Sequence, residues 1–235
     1  MTDPSPSHTL PVSGDNGPVT NTAVLDFYAA GTANNVKVAI LLNLLGLAYR
    51  VIPVPLKHGT SRPEGLAAAS LTGKVPAIVD HRTGQALCES AAILIYLAET
   101  YGSPLWPAPG KDRAHALQWL MAVSSTFTPA MTEARFYLHL NPRAAPLAET
   151  RVTAQVHHAY RTADTALART PCLTGDGLSL ADLALWPYVA RFACQGIDLA
   201  DYPHVKDWYL RLAGIPAFRK GWDVLDQGAA LPLPA

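Results

Sequence analysis

Hydrogen-bond donors cluster between a predicted strand and a predicted helix, in the segment Gly31-Thr32-Ala33-Asn34-Asn35. The Thr32 hydroxyl and the Asn34 amide stand beside the helix start, where the helix dipole favours negative charge. A thiol held there would shift toward thiolate, because the dipole and the donors both stabilise the anion. A free thiol has a pKa of about 8.5, so a modest lowering makes thiolate the main form near neutral pH. Taken alone, the segment is better explained by ordinary helix capping.

A second segment, Lys74-Val75-Pro76-Ala77, leads into a predicted strand. Proline is tolerated at a strand start because no ladder donor is lost there. A cis Val75–Pro76 bond would turn the Val75 backbone outward, leaving its N–H and C=O free to pair with a peptide-like ligand, as an added strand would. Because cis X–Pro bonds are the minority, the sequence alone predicts an ordinary trans proline.

A third segment, Cys88-Glu89-Ser90, joins a predicted strand to a predicted helix. The Ser90 hydroxyl and an uncapped helix N–H favour an anion such as a carboxylate. Glu89 could receive an ammonium group, so the pair suits an amino-acid head group, which carries both charges on one carbon. Taken alone, this segment too is better explained by N-capping.

The elements that must position these groups follow from hydrophobic periodicity. After residue 22 the order is strand, helix, strand, short helix, hairpin and helix. Two parallel strands joined to an antiparallel hairpin make a four-stranded mixed sheet. The predicted ranges are Val24–Tyr28, Asn34–Leu47, Tyr49–Val54, Arg62–Ala69, Ala77–Asp80, Gln85–Cys88 and Glu89–Tyr101.

A segment rich in proline, residues 103–110, separates this predicted α/β domain (23–102) from a predicted all-helical domain (111–226). Polar residues 1–22 and 227–235 are predicted to form a flexible arm and a C-terminal tail. Ser179 and Asp182 have the spacing of a capping box. The predicted helices of the second domain are Asp112–His139, Ala145–Ala168, Ser179–Gly196, Pro203–Ala213 and Pro216–Val224.

Composition narrows the class of protein. Lys plus Arg and Asp plus Glu number 18 each, so charge gives no reason to expect nucleic acid or an anionic membrane as partner. No apolar run approaches about 18 residues, and the N-terminus lacks the features of a signal peptide, so no membrane span is expected. Cys88, Cys172 and Cys194 show no metal-ligand or redox spacing. They are predicted to be buried, inert thiols in a cytoplasmic protein without a metal.

The segments Gly73 to Asp80 and Leu87 to Glu99 resemble the glutathione-site block of the glutathione S-transferase superfamily. Leu178 to Asp182 and Tyr202 to Trp208 also resemble that family, and the likeness runs from about residue 24 to about residue 224. The resemblance implies a thioredoxin-like N-terminal domain with the four-stranded mixed sheet, an all-α C-terminal helical bundle, glutathione as co-substrate, and a homodimer.

Thr32 to Asn35, together with Lys37, resembles the Thr-Pro-Asn-Gly segment of the bacterial Nu class. That class is similar to the fungal nitrogen-catabolite regulator and includes glutathione-dependent disulfide reductases. This chain departs from its pattern at Gly31, Ala33, Asn35 and Thr60. The resemblance implies that Thr32 and Asn34 contact the glutathione sulfur as the catalytic pair. Glutathione is then expected to bind at Asn34, Lys74, Val75 (against the cysteinyl backbone), Pro76, and Glu89 with Ser90 (at the γ-glutamyl end).

A pocket for the second substrate is expected on the first long helix of the back domain. Its candidate wall is Thr128, Met131, Arg135, Phe136 and Tyr137. Core packing explains the apolar members at least as well, because they also fit helical periodicity.

Weaker candidates complete the site. Arg135 could reach a glutathione carboxylate. His58 and Lys57 could reach the glycine carboxylate, although their charges are better explained as those of a solvated loop. Tyr28 is predicted to pack in the core as a strand aromatic and not to activate the thiol.

Three functions remain open. The preferred one is a thiol-disulfide oxidoreductase with glutathione peroxidase-like activity, which uses the glutathione thiolate. The second is a transferase that conjugates glutathione to hydrophobic electrophiles. The third is a non-catalytic binding or regulatory protein.

Overall fold

A computed structural model describes residues 23–57, 60–226 and 230–234. The predicted arm (1–22), His58 and part of the predicted tail lie outside the described residues. The α/β portion contains β1 (Leu25–Ala29), α1 (Ala33–Leu44), β2 (Tyr49–Pro53), α2 (Leu66–Ala69), β3 (Ala77–Asp80), β4 (Gln85–Cys88) and α3 (Ser90–Tyr101).

The four strands form one mixed sheet in the order β2-β1-β3-β4. β1 pairs in parallel with β2 and antiparallel with β3, and β3 pairs antiparallel with β4. The predicted mixed sheet is therefore confirmed. Helix α2 is shorter than predicted, because Gly65 adopts a left-handed conformation with φ of 86° immediately before it.

Strand β1 is buried on both faces of the sheet, and its alternation divides the core into two clusters. Leu25, Phe27 and Ala29 join the large cluster that includes α1, α3 and the helical portion. Tyr28 faces the other way, into a small cluster with Leu66 of α2. Its hydroxyl donates to the Glu64 carbonyl at 3.3 Å, so Tyr28 is a core aromatic, as predicted.

The helical portion begins with one long helical stretch, residues 111–140, where a single helix is predicted. It consists of α4 (Lys111–Ala122), a π-helical turn (Val123–Phe127), α5 (Thr128–Ala134) and a second π-helical turn (Arg135–Leu140). Such turns widen a helix and change the direction of the side chains around them. The helices α6 (Pro146–Leu167), α7 (Leu180–Val189), α8 (Pro203–Ala213) and α9 (Pro216–Asp226) follow.

Helix α7 ends earlier than the predicted Ser179–Gly196. Arg191 leaves the helical conformation, with φ of −110° and ψ of 22°, and a 3₁₀ turn follows over Phe192–Gln195. Every residue of α7 is buried. The predicted capping box is confirmed, because Ser179 and Asp182 exchange side-chain and backbone hydrogen bonds at the start of the helix.

The cysteines differ in exposure. Cys88 and Cys172 are buried as predicted, and burial raises the pKa of the Cys172 thiol to about 11. Cys194 is partly exposed, because it lies in the 3₁₀ turn and not in a packed helix, so its predicted burial is wrong. Within the described ranges no helix is both long and apolar enough to cross a membrane.

Candidate functional site

Three adjoining cavities meet at Asn34, at the beginning of α1. The interdomain cavity, of about 430 Å³, extends from Thr32 to Arg135 and Tyr188. The sheet-edge cavity, of about 210 Å³, follows Lys74, Val75, Pro76, Glu89 and Ser90. The helix cavity, of about 340 Å³, opens between the first π-helical turn, α5 and α7. The predicted donor thus stands where pockets from both halves of the chain converge.

Thr32 occupies the N-cap position of α1 with an extended backbone, but its hydroxyl makes no capping hydrogen bond. It accepts instead from the Asn35 side chain, with 2.6 Å between Nδ2 and Oγ1. Asn34 Oδ1 accepts from Ser90 Oγ at 3.3 Å. Since its oxygen faces Ser90, the amide group of Asn34 is held in a defined orientation, and simple capping does not account for either residue.

The Val75–Pro76 peptide bond is cis, so the trans bond predicted from base rates is wrong. Val75 precedes β3 and lines both the interdomain and the sheet-edge cavities. Among the described residues, its N–H and C=O take part in no hydrogen bond. A polar backbone edge that faces a cavity can pair with an extended peptide.

Glu89 precedes α3 with φ of 67°, a conformation that a non-glycine residue adopts at some energetic cost. Its exposed side chain does not cap the helix. Ser90, the first residue of α3, donates to Asn34 and also caps nothing. The start of α3 therefore presents a carboxylate and an uncapped helix terminus to one cavity, and the capping explanation is wrong.

Two functional candidates were assigned no role from the sequence. Tyr188 of α7 lines the interdomain and helix cavities, with the side chains of Thr128, Thr132 and Asn34 beside its hydroxyl. Burial raises the pKa of Tyr188, so the phenol stays protonated and can donate. No local pattern marks this residue, because it reaches Asn34 only through the packing of α7 on α1.

Lys37 is the other candidate; it was named as part of the resemblance to the Nu class but was given no role, and it is only 1% exposed. Burial lowers the pKa of its ammonium group to about 7, and the charge of Glu89 opposes that change. One signal was available in the sequence: Lys37 stands between Val36 and Val38 in an otherwise apolar helical pattern.

The expected pocket for a second substrate is only partly assembled. Met131 and Arg135 line the interdomain cavity, and Thr128 lines the helix cavity. Phe136 is half exposed and packs edge-on against Tyr137, with 5.0 Å between ring centroids, and neither lines these cavities. The first π-helical turn and α5 also border a separate cavity of about 450 Å³ against α6, which holds none of the predicted site residues.

The basic residues of the interdomain cavity come from four different segments. Lys74 precedes β3, Arg62 lies in the loop after β2, Arg135 begins the second π-helical turn, and Arg191 follows α7. No Asp or Glu is among the described residues that line this cavity. Lys57, exposed in the same loop as Arg62, does not line it. In the described part of the chain, no group of three His, Cys, Asp or Glu residues could hold a metal ion.

Two family models match the chain. The model for the N-terminal domain of glutathione S-transferases matches residues 35–100, and the model for the C-terminal domain matches residues 146–211. The first matched region contains most of α1, all of α2 and most of α3, and the second contains α6, α7 and most of α8.

Similar proteins come from several kingdoms. The chain is 38% identical to the disulfide-bond oxidoreductase YfcG of Escherichia coli, over 83% of this chain and 92% of that protein. It is 35% identical to glutathione S-transferase 3 of Zea mays, over 86% and 91%. A glutathione transferase homologue from Lodderomyces elongisporus, crystallised with two glutathione molecules per subunit, superposes with a TM-score of 0.79 at 27% identity, covering 85% and 98%. The chain belongs to the glutathione S-transferase family.

Proposed function

We propose that this protein uses glutathione to reduce disulfide bonds. The observation that carries the proposal is the position of Asn34, which borders both the small sheet-edge cavity and the basic interdomain cavity. A thiolate at Asn34 would face two compartments, one for the glutathione that supplies it and one for the disulfide that it attacks. The same thiolate could reduce a peroxide, which is the peroxidase-like extension of this activity.

Glutathione fits the sheet-edge cavity in one direction. Its γ-glutamyl carboxylate suits the uncapped start of α3 at Ser90, and its ammonium suits Glu89. Its cysteinyl backbone then pairs with Val75, whose N–H and C=O make no other hydrogen bond among the described residues. In this pose the sulfur arrives at Asn34 and Thr32, and Pro76 and Lys74 form the rest of the wall.

The reaction proceeds as two thiol-disulfide exchanges. The bound glutathione thiolate attacks one sulfur of the disulfide, so a mixed disulfide forms and the other sulfur leaves as a thiolate. A second glutathione thiolate then attacks the glutathione sulfur of the mixed disulfide. This step produces glutathione disulfide and releases the second substrate thiol. The phenol of Tyr188, which borders the cavity, can donate a hydrogen bond to the departing sulfur.

The charge of the interdomain cavity supports a disulfide that carries carboxylates. Arg62, Lys74, Arg135 and Arg191 line it, and no acidic side chain of the described residues opposes them there. Excess charge of one sign in a cleft concentrates ligands of the other sign. A similar protein was crystallised with two glutathione molecules per subunit, and a second glutathione in this cavity would bring two further carboxylates.

The substrate class is tested with the purified protein and glutathione. We expect turnover of hydroxyethyl disulfide to exceed turnover of 1-chloro-2,4-dinitrobenzene, because the donors at Asn34 stabilise sulfur anions and an open basic cavity adjoins them. Each rate is measured against the reaction without protein.

Activity on the chlorinated arene alone would favour the conjugating transferase. That alternative is supported by the apolar Leu56 and Met131 on the cavity wall. Absence of any glutathione binding would favour a non-catalytic binding or regulatory protein.

Replacing Arg135 by Gln should raise the KM for glutathione-containing mixed disulfides about tenfold, because one charge-assisted hydrogen bond is worth roughly 1.5 kcal/mol. The KM for the uncharged hydroxyethyl disulfide should change little. The matched control is Arg151→Gln on the exposed side of α6. Equal effects on the charged and uncharged disulfides would show that Arg135 does not bind a carboxylate.

We also expect a homodimer in a cytoplasmic, reducing setting. The apolar Leu71, Leu117 and Met121 are exposed in the single chain and support an interface between copies. The three cysteines, all unpaired in the described residues, support a reducing compartment.

A further inference from the structure

Lys37 is a buried cation beside the site. The proposed exchange reaction gives it no role. Its side chain is 1% exposed and is one of the largest fully buried side chains in the described structure. It follows Asn34 by three residues, so the two side chains lie on adjoining positions of one face of α1. Among the described residues Lys37 takes part in no salt bridge and no side-chain hydrogen bond.

The groups that surround Lys37 come from the helices packed on α1. Tyr188 of α7 places its ring centroid 5.4 Å from the ammonium nitrogen. Glu89, at the start of α3, acts on it as an opposite charge. Helix α9 also packs on α1, and its charged side chains that the structure describes, Arg219, Lys220 and Asp223, are exposed.

A buried ammonium with one distant carboxylate and one aromatic ring is costly to keep charged. The pKa of Lys37 is accordingly lowered to about 7, so the charged and neutral forms are both populated near neutral pH. A nearby anion would shift this balance strongly toward the charged form. The position of Lys37 suggests which anion that is.

We propose that Lys37 is a positioning residue for the thiolate, with its buried ammonium as the counter-charge behind Asn34. The inference rests on the proposed function, because it requires glutathione in the sheet-edge cavity. The γ-glutamyl head group brings one charge of each sign to Glu89 and Ser90, so its charges largely cancel. The thiolate is then the uncompensated anion nearest to α1. Lys37 does not touch the sulfur; it acts through the electrostatic field at Asn34.

This arrangement links two proton equilibria. On binding, the glutathione thiol gives its proton to solvent, and Lys37 takes a proton from solvent. Coupling is reciprocal: the thiolate raises the pKa of Lys37 as much as the ammonium lowers the pKa of the thiol. Two unit charges about 8 Å apart at an effective dielectric constant of about 20 shift each other's pKa by about 1.5 units.

The direct test is a pH titration of bound glutathione, followed by the ultraviolet absorbance of its thiolate. The variant Lys37→Met keeps the apolar stem and removes the charge. We expect the pKa of the bound thiol to rise by about one unit in this variant. The matched control, Lys220→Met, makes the same change on the exposed surface of α9 and should leave the pKa where it is. An equal thiol pKa in Lys37→Met and the wild type overturns the proposal.

Calorimetry of the wild-type protein supplies a second, independent readout. The net number of protons released is obtained from binding heats in buffers of different ionisation enthalpy. Near neutral pH we expect fewer protons released than thiolates formed, and equality of the two numbers also overturns the proposal. S-methylglutathione, which has no thiol, should cause much less proton uptake. This measurement decides the question even if Lys37→Met does not fold.

The outcomes separate this inference from the proposed function. If disulfide reduction is normal but the number of protons released equals the number of thiolates formed, only the role of Lys37 is excluded. Proton linkage without disulfide reduction removes only the reductase activity. A wild-type protein that does not bind glutathione removes both.

Discussion

Replacing Asn34 by Ala should lower kcat for disulfide reduction about 100-fold, the loss that follows removal of one preorganised donor to a reacting anion. Glutathione affinity should fall less than tenfold, because the tripeptide would keep its contacts at Val75, Glu89 and Ser90. The structural basis is the fixed orientation of the amide, whose oxygen accepts from Ser90 Oγ at 3.3 Å. Steady-state kinetics and calorimetry measure the two effects separately.

Two controls isolate the role of the Asn34 amide. Ser90→Ala removes the hydrogen bond that orients Asn34 and one contact to the γ-glutamyl end, so it should weaken binding more than it lowers kcat. Asn141→Ala changes the same type of side chain on an exposed turn after the second π-helical turn and should affect neither quantity. An unchanged kcat in Asn34→Ala would exclude Asn34 from the chemistry.

The local part of this site was predictable because each of its groups lies at a boundary between a strand and a helix. Thr32 and Asn34 begin α1, and Glu89 and Ser90 join β4 to α3. Such boundaries are visible in hydrophobic periodicity, and the chemistry of a helix N-terminus follows from its dipole. The mixed sheet was predictable for the same reason, since every strand carries its own local pattern.

Other features depend on contacts that no local pattern contains. Tyr188 and Lys37 meet because α7 packs against α1, across more than 140 residues of chain. The cis isomer at Val75–Pro76 also went against the base rate for such bonds. The end of α7 was misplaced because the apolar pattern continues beyond Val189, although the backbone leaves the helix near Arg191.

Of the five residues predicted to form the wall of the second-substrate pocket, Thr128, Met131 and Arg135 line the cavities at Asn34, whereas Phe136 and Tyr137 do not. An ideal helical period was assumed for residues 112–139, whereas π-helical turns occupy Val123–Phe127 and Arg135–Leu140. Each such turn adds about one residue to the helical repeat and rotates the following side chains. Phe136 is half exposed and does not line the cavity that Arg135 lines.

Replacing Asp182 by Ala should lower the free energy of unfolding by about 4 kcal/mol. The carboxylate of Asp182 is fully buried and accepts from the Leu173 N–H at 3.0 Å, the Ser179 N–H at 3.0 Å and the Ser179 hydroxyl at 2.6 Å. It also accepts from Trp208 Nε1 at 2.9 Å. Burial raises the pKa of Asp182, and these donors oppose the rise. Truncation would leave several buried donors without partners, at roughly 1–3 kcal/mol each before relaxation.

Denaturant unfolding measures the free energy of unfolding of Asp182→Ala, with Asp198→Ala as the control variant. Asp198 is an exposed carboxylate that, within the described part of the chain, accepts one hydrogen bond, from the Ala200 N–H, so its loss should cost about 1 kcal/mol, as for other caps. Equal costs for the two variants would mean that the buried network contributes no more than a surface cap. Through its hydrogen bonds Asp182 connects the loop at Leu173 and helix α8 to the start of α7. Helix α7 also contains Tyr188, which lines the interdomain cavity. In the fraction of Asp182→Ala protein that still folds, the rate of disulfide reduction should therefore fall more than the affinity for glutathione.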